Sequence, residues 1–147
     1  MRIIFLFLWF VSMATQASEN FNAANTNVQL GLAYLQKGLY SASKQSLLTA
    51  IQDDSHIAAV WYGMGYYLEK TGNQAAANQY YQYAISVEPH SGSAKNNYGN
   101  FLCRAGKYQA AIHEFILATR ERDYLNTANA YKNAGICALK IPDKLTE

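Results

Sequence analysis

The sequence predicts an all-α solenoid of stacked helix hairpins, and three observations predict it. Gly31, Gly65 and Gly99 recur at intervals of 34 residues, and Gly38, Gly72 and Gly106 repeat the same interval. Ala50, Ala84 and Ala118 do so a third time. Half of the 147 residues are apolar and only two are proline, so there is apolar surface for a core and little to interrupt a helix.

The first element differs from the rest. Met1-Arg2 is a short positive start, "IIFLFLWFV" from Ile3 to Val11 is an apolar run too short to span a membrane, and "SMATQA" offers small residues at Thr15 and Ala17. Residues 1–17 therefore read as a signal peptide cleaved after Ala17, with an uncleaved anchor or a buried helix as the alternatives. No Cys lies near that point, so no lipid anchor is expected. Residues 18–23 read as a linker.

Three hairpin units follow, at 24–57, 58–91 and 92–127. In the second, Trp61, Met64, Gly65, Leu68, Gly72, Ala77, Tyr81, Ala84 and Pro89 form the skeleton. The third supplies Tyr98, Gly99, Leu102, Gly106, Tyr108, Ala111, Phe115 and Ala118, and the first Leu30, Gly31, Tyr34, Gly38, Tyr40, Leu47 and Ala50. Gly65 and Ala77 are small where two helices must approach closely, and the larger residues fill the space around them. Gly72 falls where the first helix stops, and Pro89 where the second cannot continue. Each hairpin leaves an apolar face bare, so neighbours must stack. A last helix, from about Thr127 to Lys140, opens a unit at 128–147. It reads as a capping helix or as the start of a truncated fourth repeat.

This pattern resembles the tetratricopeptide repeat family over about 24 to 140. The resemblance implies a right-handed superhelix that binds proteins along its concave face, without enzymatic activity or a cofactor. Net charge is +2 with scattered charges, and no basic stripe points to nucleic acid. No small-molecule substrate is expected either. His56 and His90 share one register position between hairpins, and His113 has no partner at a useful spacing, so neither a catalytic centre nor a metal site is expected.

"NNYGNFLCRAGKY", residues 96 to 108, holds residues beyond this skeleton. Asn97 and Asn100 partly match the carboxylate clamp of related scaffolds. Val28, Leu32, Tyr62 and Tyr66 stand where that clamp needs Lys or Arg. Together with "NAGICALK", residues 133 to 140, the stretch resembles the type IV pilus biogenesis and stability proteins of the PilF/PilW family. That resemblance implies a periplasmic scaffold that helps an outer-membrane secretin assemble or stabilises the pilus, any membrane association coming through the partner. A general periplasmic peptide-binding adaptor and a truncated remnant of the pilus protein are the alternatives.

Register also locates the groove. The concave positions are Val28, Leu32 and Leu35 in the first unit, Tyr62, Tyr66 and Glu69 in the second, and Asn96 and Asn100 in the third. Such a groove suits a segment with an apolar end held by tyrosines. The alternative for the first three is packing against the N-terminal residues. Cys103 and Cys137 fall on neighbouring parallel helices with their side chains facing, which an oxidising compartment would join as a disulfide. Two reduced, buried thiols are the other reading.

Overall fold

A computed structural model describes residues 2–142, with side chains from residue 16 onward. Among these residues there are seven α-helices and no strand: α1 (Arg2–Gln36), α2 (Tyr40–Asp53), α3 (Ala58–Lys70), α4 (Gln74–Val87), α5 (Gly92–Arg104), α6 (Tyr108–Thr119) and α7 (Thr127–Ala138). Helices pair as α1 with α2, α3 with α4 and α5 with α6, while α7 packs on α6 and touches α5. The first helices also form one wall of the solenoid, with α3 meeting α1 on one side and α5 on the other.

Each hairpin turns in the same way. Gly38, Gly72 and Gly106 have φ of 73°, 89° and 77°, a left-handed conformation that glycine adopts without the cost of a Cβ. The residue after each glycine donates its N–H five residues back: Leu39 to Tyr34, Asn73 to Leu68 and Lys107 to Leu102, at 2.9, 2.9 and 2.8 Å. This closes the free carbonyls at the helix end. Helix starts use different devices. Asn73 and Ser91 cap α4 and α5 with their own side chains.

The two ends of each hairpin are tied by a polar contact. Asn27 Nδ2 donates to Asp53 Oδ2 at 2.7 Å in the first hairpin. In the second the Ala58 N–H, which has no local side-chain cap, donates to the Glu88 carboxylate. In the third Lys95 pairs with Glu121.

The core is built from the repeat skeleton. Tyr81 and Phe115 are the largest fully buried side chains, with Ala77 and Ala111 beside them and Phe101 and Leu102 between hairpins. α7 contributes Ala130, Ala134 and Cys137. One difference from expectation concerns residues 18–23, which are helical and continuous with α1. No Gly or Pro precedes Gly31, so nothing in the sequence breaks the helix there.

Candidate functional site

The wall formed by α1, α3 and α5 carries a groove of about 270 Å³, lined by Leu32 and Gln36, Tyr62 and Tyr66, and Asn97, Asn100 and Arg104. Each side chain gets there through helical spacing. Leu32 and Gln36, Tyr62 and Tyr66, and Asn100 and Arg104 are pairs four residues apart, so each pair shares one face of its helix.

The residues expected from register divide into two sets. Leu32, Tyr62, Tyr66 and Asn100 line this groove. Val28 and Leu35 are buried at 2% and 6% exposure, Val28 in a cluster with Ala24, Ala50, Ile57 and Val60. Glu69 lies at the end of α3, with its side chain 8% exposed. Asn96 is turned toward α7, where its Oδ1 accepts a hydrogen bond from Asn133 at 3.2 Å. Cys103 and Cys137 are paired, with Cα atoms 5.8 Å apart.

Repeat register does not place Gln36 or Arg104 in the groove, and it offers Asn97 only to a clamp. Arg104 sits one turn beyond Asn100, and that spacing was the available signal. It fixes the electrostatics of the groove. Its Nε and Nη2 donate to Glu69 Oε1 and Oε2 at 2.5 and 2.8 Å, a two-pronged pair across neighbouring repeats. Burial works against the Arg104 charge, but the hydrogen bonds and charge of Glu69 outweigh it and hold the guanidinium above its ordinary value. The Tyr81 hydroxyl donates to Glu69 Oε2 at 3.1 Å, and burial, reinforced by Glu69, pushes its pKa far up. Two cations lie against the Tyr66 ring, Lys70 Nζ at 5.3 Å and Arg104 Cζ at 5.8 Å from its centre.

Arg104 is thus neutralised by Glu69 and does not give the groove a free positive charge. What it presents is two tyrosine rings, Leu32 and the amides of Gln36, Asn97 and Asn100. Asn97 spends one N–H on the Ser93 carbonyl at 2.9 Å. Asn100 is half-buried and makes no side-chain hydrogen bond among the described residues. A free amide offers both a donor and an acceptor, which matches the pairing needs of an extended peptide backbone. The arrangement suits an extended peptide with apolar or aromatic side chains, with the Lys70 ammonium beside the Tyr66 ring at its edge.

The histidines stand apart. His56 pairs with Asp54 and His90 with Glu121, both at 3.2 Å, and both rings are more than nine-tenths exposed. Larger hollows lie at the connector between α4 and α5, about 470 Å³, and near the turns of the second and third hairpins, about 660 Å³. The first is lined mainly by loop residues and the second by a mixed polar set. Neither brings a pair of aromatic rings together.

Comparison with known proteins agrees with this architecture. Residues 28–94 and 62–125 match the tetratricopeptide repeat family. An uncharacterized protein of Haemophilus influenzae is 30% identical over 134 residues, which is 91% of this chain and 75% of that protein. The type IV pilus assembly protein PilF of Pseudomonas aeruginosa is 25% identical over 119 residues, 81% of this chain and 47% of PilF. The solved structure of Pseudomonas aeruginosa PilF superposes with a TM-score of 0.73 at 25% identity, covering 82% of this chain and 55% of PilF. That of PilW, a widely conserved type IV pilus biogenesis factor, gives 0.70 at 26% identity, covering 80% and 54%. The chain spans about half the length of these two pilus proteins.

Proposed function

The chain belongs to the tetratricopeptide repeat family, and on that premise we propose that it is an exported, non-enzymatic scaffold for type IV pilus assembly. It holds a segment of an outer-membrane secretin or pilus component in the groove between α1, α3 and α5. The observation that carries the binding part is the convergence of Tyr62, Tyr66 and the free Asn100 amide in one groove. Aromatic anchors beside backbone-pairing groups are how such surfaces gain both affinity and register. The pilus part rests on the likeness to PilF and PilW over four-fifths of the chain.

Export to the periplasm is part of the reading. It is supported by the apolar run Ile3–Val11 followed by small residues, and among the described residues no helix is long and apolar enough to cross a membrane. The pairing of Cys103 with Cys137 fits the same compartment, where a disulfide persists.

The test is capture of envelope proteins by the tagged periplasmic chain, with detection of secretin and pilins. The expected result is capture by the native chain and its loss in the Tyr62→Ala, Tyr66→Ala double variant. A native chain that captures neither secretin nor pilin overturns the pilus reading. Capture that survives the double substitution moves the site away from the groove.

A further inference from the structure

The groove on the α1, α3 and α5 wall opens at one end onto the edge that carries the three hairpin turns. Gln36 and Arg104 are the last residues of α1 and α5, and Lys70, one turn beyond Tyr66, is the last of α3. Residues 33–43, 67–77 and 101–111 make up these turns and the helix ends beside them. They contain Lys37, Lys70, Arg104 and Lys107, and a single acid, Glu69. Glu69 is already engaged, its side chain 8% exposed and held by Arg104 and the Tyr81 hydroxyl. Lys37, Lys70 and Lys107 are exposed and make no ion pair among the described residues.

The helix starts on this edge do not supply the missing counter-charge. α2, α4 and α6 begin here, and helix starts favour acidic side chains. None of the three has one in its first turn, and α2 and α6 have no side-chain cap. The edge that borders the groove is therefore positive and open to an anion from outside the fold.

Along α3, Tyr62, Tyr66 and Lys70 follow one another in steps of four residues, each about 6 Å along the helix axis. Both rings line the groove, and Lys70 Nζ lies 5.3 Å from the Tyr66 ring centre. Ring, ring and ammonium thus form one row that leads to the turn edge. In an extended chain alternate side chains point the same way and stand roughly 6.6 Å apart. The two spacings agree.

We infer that the segment seated in this groove is an extended strand with two apolar or aromatic side chains and then an acidic one at alternate positions, the acid lying over Lys70. The inference rests on the groove being the binding site, and it adds a rule for the ligand's sequence. Tyr62 and Tyr66 take the first two side chains, and the Asn100 amide is placed to pair with the backbone between them. Lys70 meets a side-chain carboxylate, so the ligand need not end in the groove. Lys37, next to Gln36, continues the positive rim on the α1 side. A basic side chain at the third position would meet Lys70 and Lys37 instead, and that repulsion sets the preference as much as the attraction does.

Fluorescence anisotropy on the purified protein tests it. One labelled peptide is centred on Phe-Ser-Phe-Ser-Glu and a second has Gln in place of Glu; both are blocked at the two ends, so neither offers a terminal carboxylate. At low salt the Glu peptide should bind about fivefold more tightly, the upper end for an exposed ion pair, and the advantage should shrink as salt is raised. Lys70→Gln should remove the preference while leaving the affinity for the Gln peptide and the melting temperature unchanged. Equal affinity for the two peptides, or a preference that survives Lys70→Gln, overturns the inference and leaves the groove reading standing. If neither peptide binds, the groove reading falls and the inference with it.

Discussion

Gly99 packs directly beneath Phe115: a Cβ on Gly99 would stand 2.8 Å from the ring and 3.1 Å from the Ala111 carbonyl oxygen. Phe115 is 1% exposed and the second obstacle is backbone, so neither can move aside cheaply. Gly99→Leu should overpack the third hairpin and cost roughly 1–3 kcal/mol or more. Gly135→Ala, with open space and a better helix former, should raise stability by up to about 1 kcal/mol. Thermal melts of the two variants check the contrast, and equal shifts would refute the packing register.

The pair across the second and third hairpins gives a separate test. Arg104→Ala leaves the nearly buried Glu69 carboxylate with only the Tyr81 hydroxyl as partner. Stranding a buried acceptor in this way should cost about 1–3 kcal/mol, read as a lower urea midpoint. Arg104→Lys keeps the charge but loses the parallel hydrogen bonds, so it should recover only part of the loss.

Two carboxylates of the third hairpin should respond to acid in opposite directions. The hydrogen bond from Lys95 holds Glu121 below the ordinary carboxylate range, with a smaller opposing effect of burial. Its folded form binds protons less readily than its unfolded form. The stabilisation is thus complete above the ordinary range and lost as pH falls through it. Glu114 is raised by burial, only partly offset by His113 and Lys95, so its ionisation opposes folding and acid relieves it. Urea midpoints followed from about pH 7 down to about pH 3 should show a flatter acid decline for Glu121→Gln and a steeper one for Glu114→Gln.

Cys103 and Cys137 close a loop with a sequence separation of 34, and an oxidised pair of that span stabilises by up to ~4 kcal/mol on the chain-entropy view. Reduction should therefore lower the melting temperature and speed hydrogen exchange chiefly in α7. Thiol labelling of the denatured protein, isolated without reductant, checks the oxidation state itself. Two reactive thiols without prior reductant would refute the disulfide.

The hairpins were legible because close packing leaves a fixed imprint. Gly99 must be small under Phe115, and Gly106 must turn left-handed, so both recur at the repeat interval. The groove was legible only in part. Leu32, Tyr62, Tyr66 and Asn100 line it, but counting positions does not say how deep a side chain sits. Val28 and Leu35 are drawn into the core because α1 packs against both α2 and α3. Arg104 is not legible from register because its long stem carries the charge away from its own helix position to a partner 35 residues back, a pairing set by how successive repeats stack. Asn96 looked free in sequence and is engaged by Asn133, which only the docking of α7 brings near. The continuous helix through residues 18–23 reflects the absence of a breaker, which composition records but which a presumed processing boundary obscured.

The polar ties at the hairpin ends bear on how the molecule would carry mechanical load. Asn27–Asp53, Ala58–Glu88 and Lys95–Glu121 each join the start and finish of one hairpin, whereas the gaps between hairpins are closed by apolar side chains with Arg104–Glu69 and the Tyr98 hydroxyl bonded to Asn78 and Gln82. Tension applied to the two ends should therefore open the gaps between hairpins before it opens the hairpins. An oxidised Cys103–Cys137 bridge would lock the last gap, so compliance would concentrate toward the N-terminal half. A solenoid of this kind yields in discrete steps about one repeat long, and it recoils when released because its neighbour contacts are independent and local.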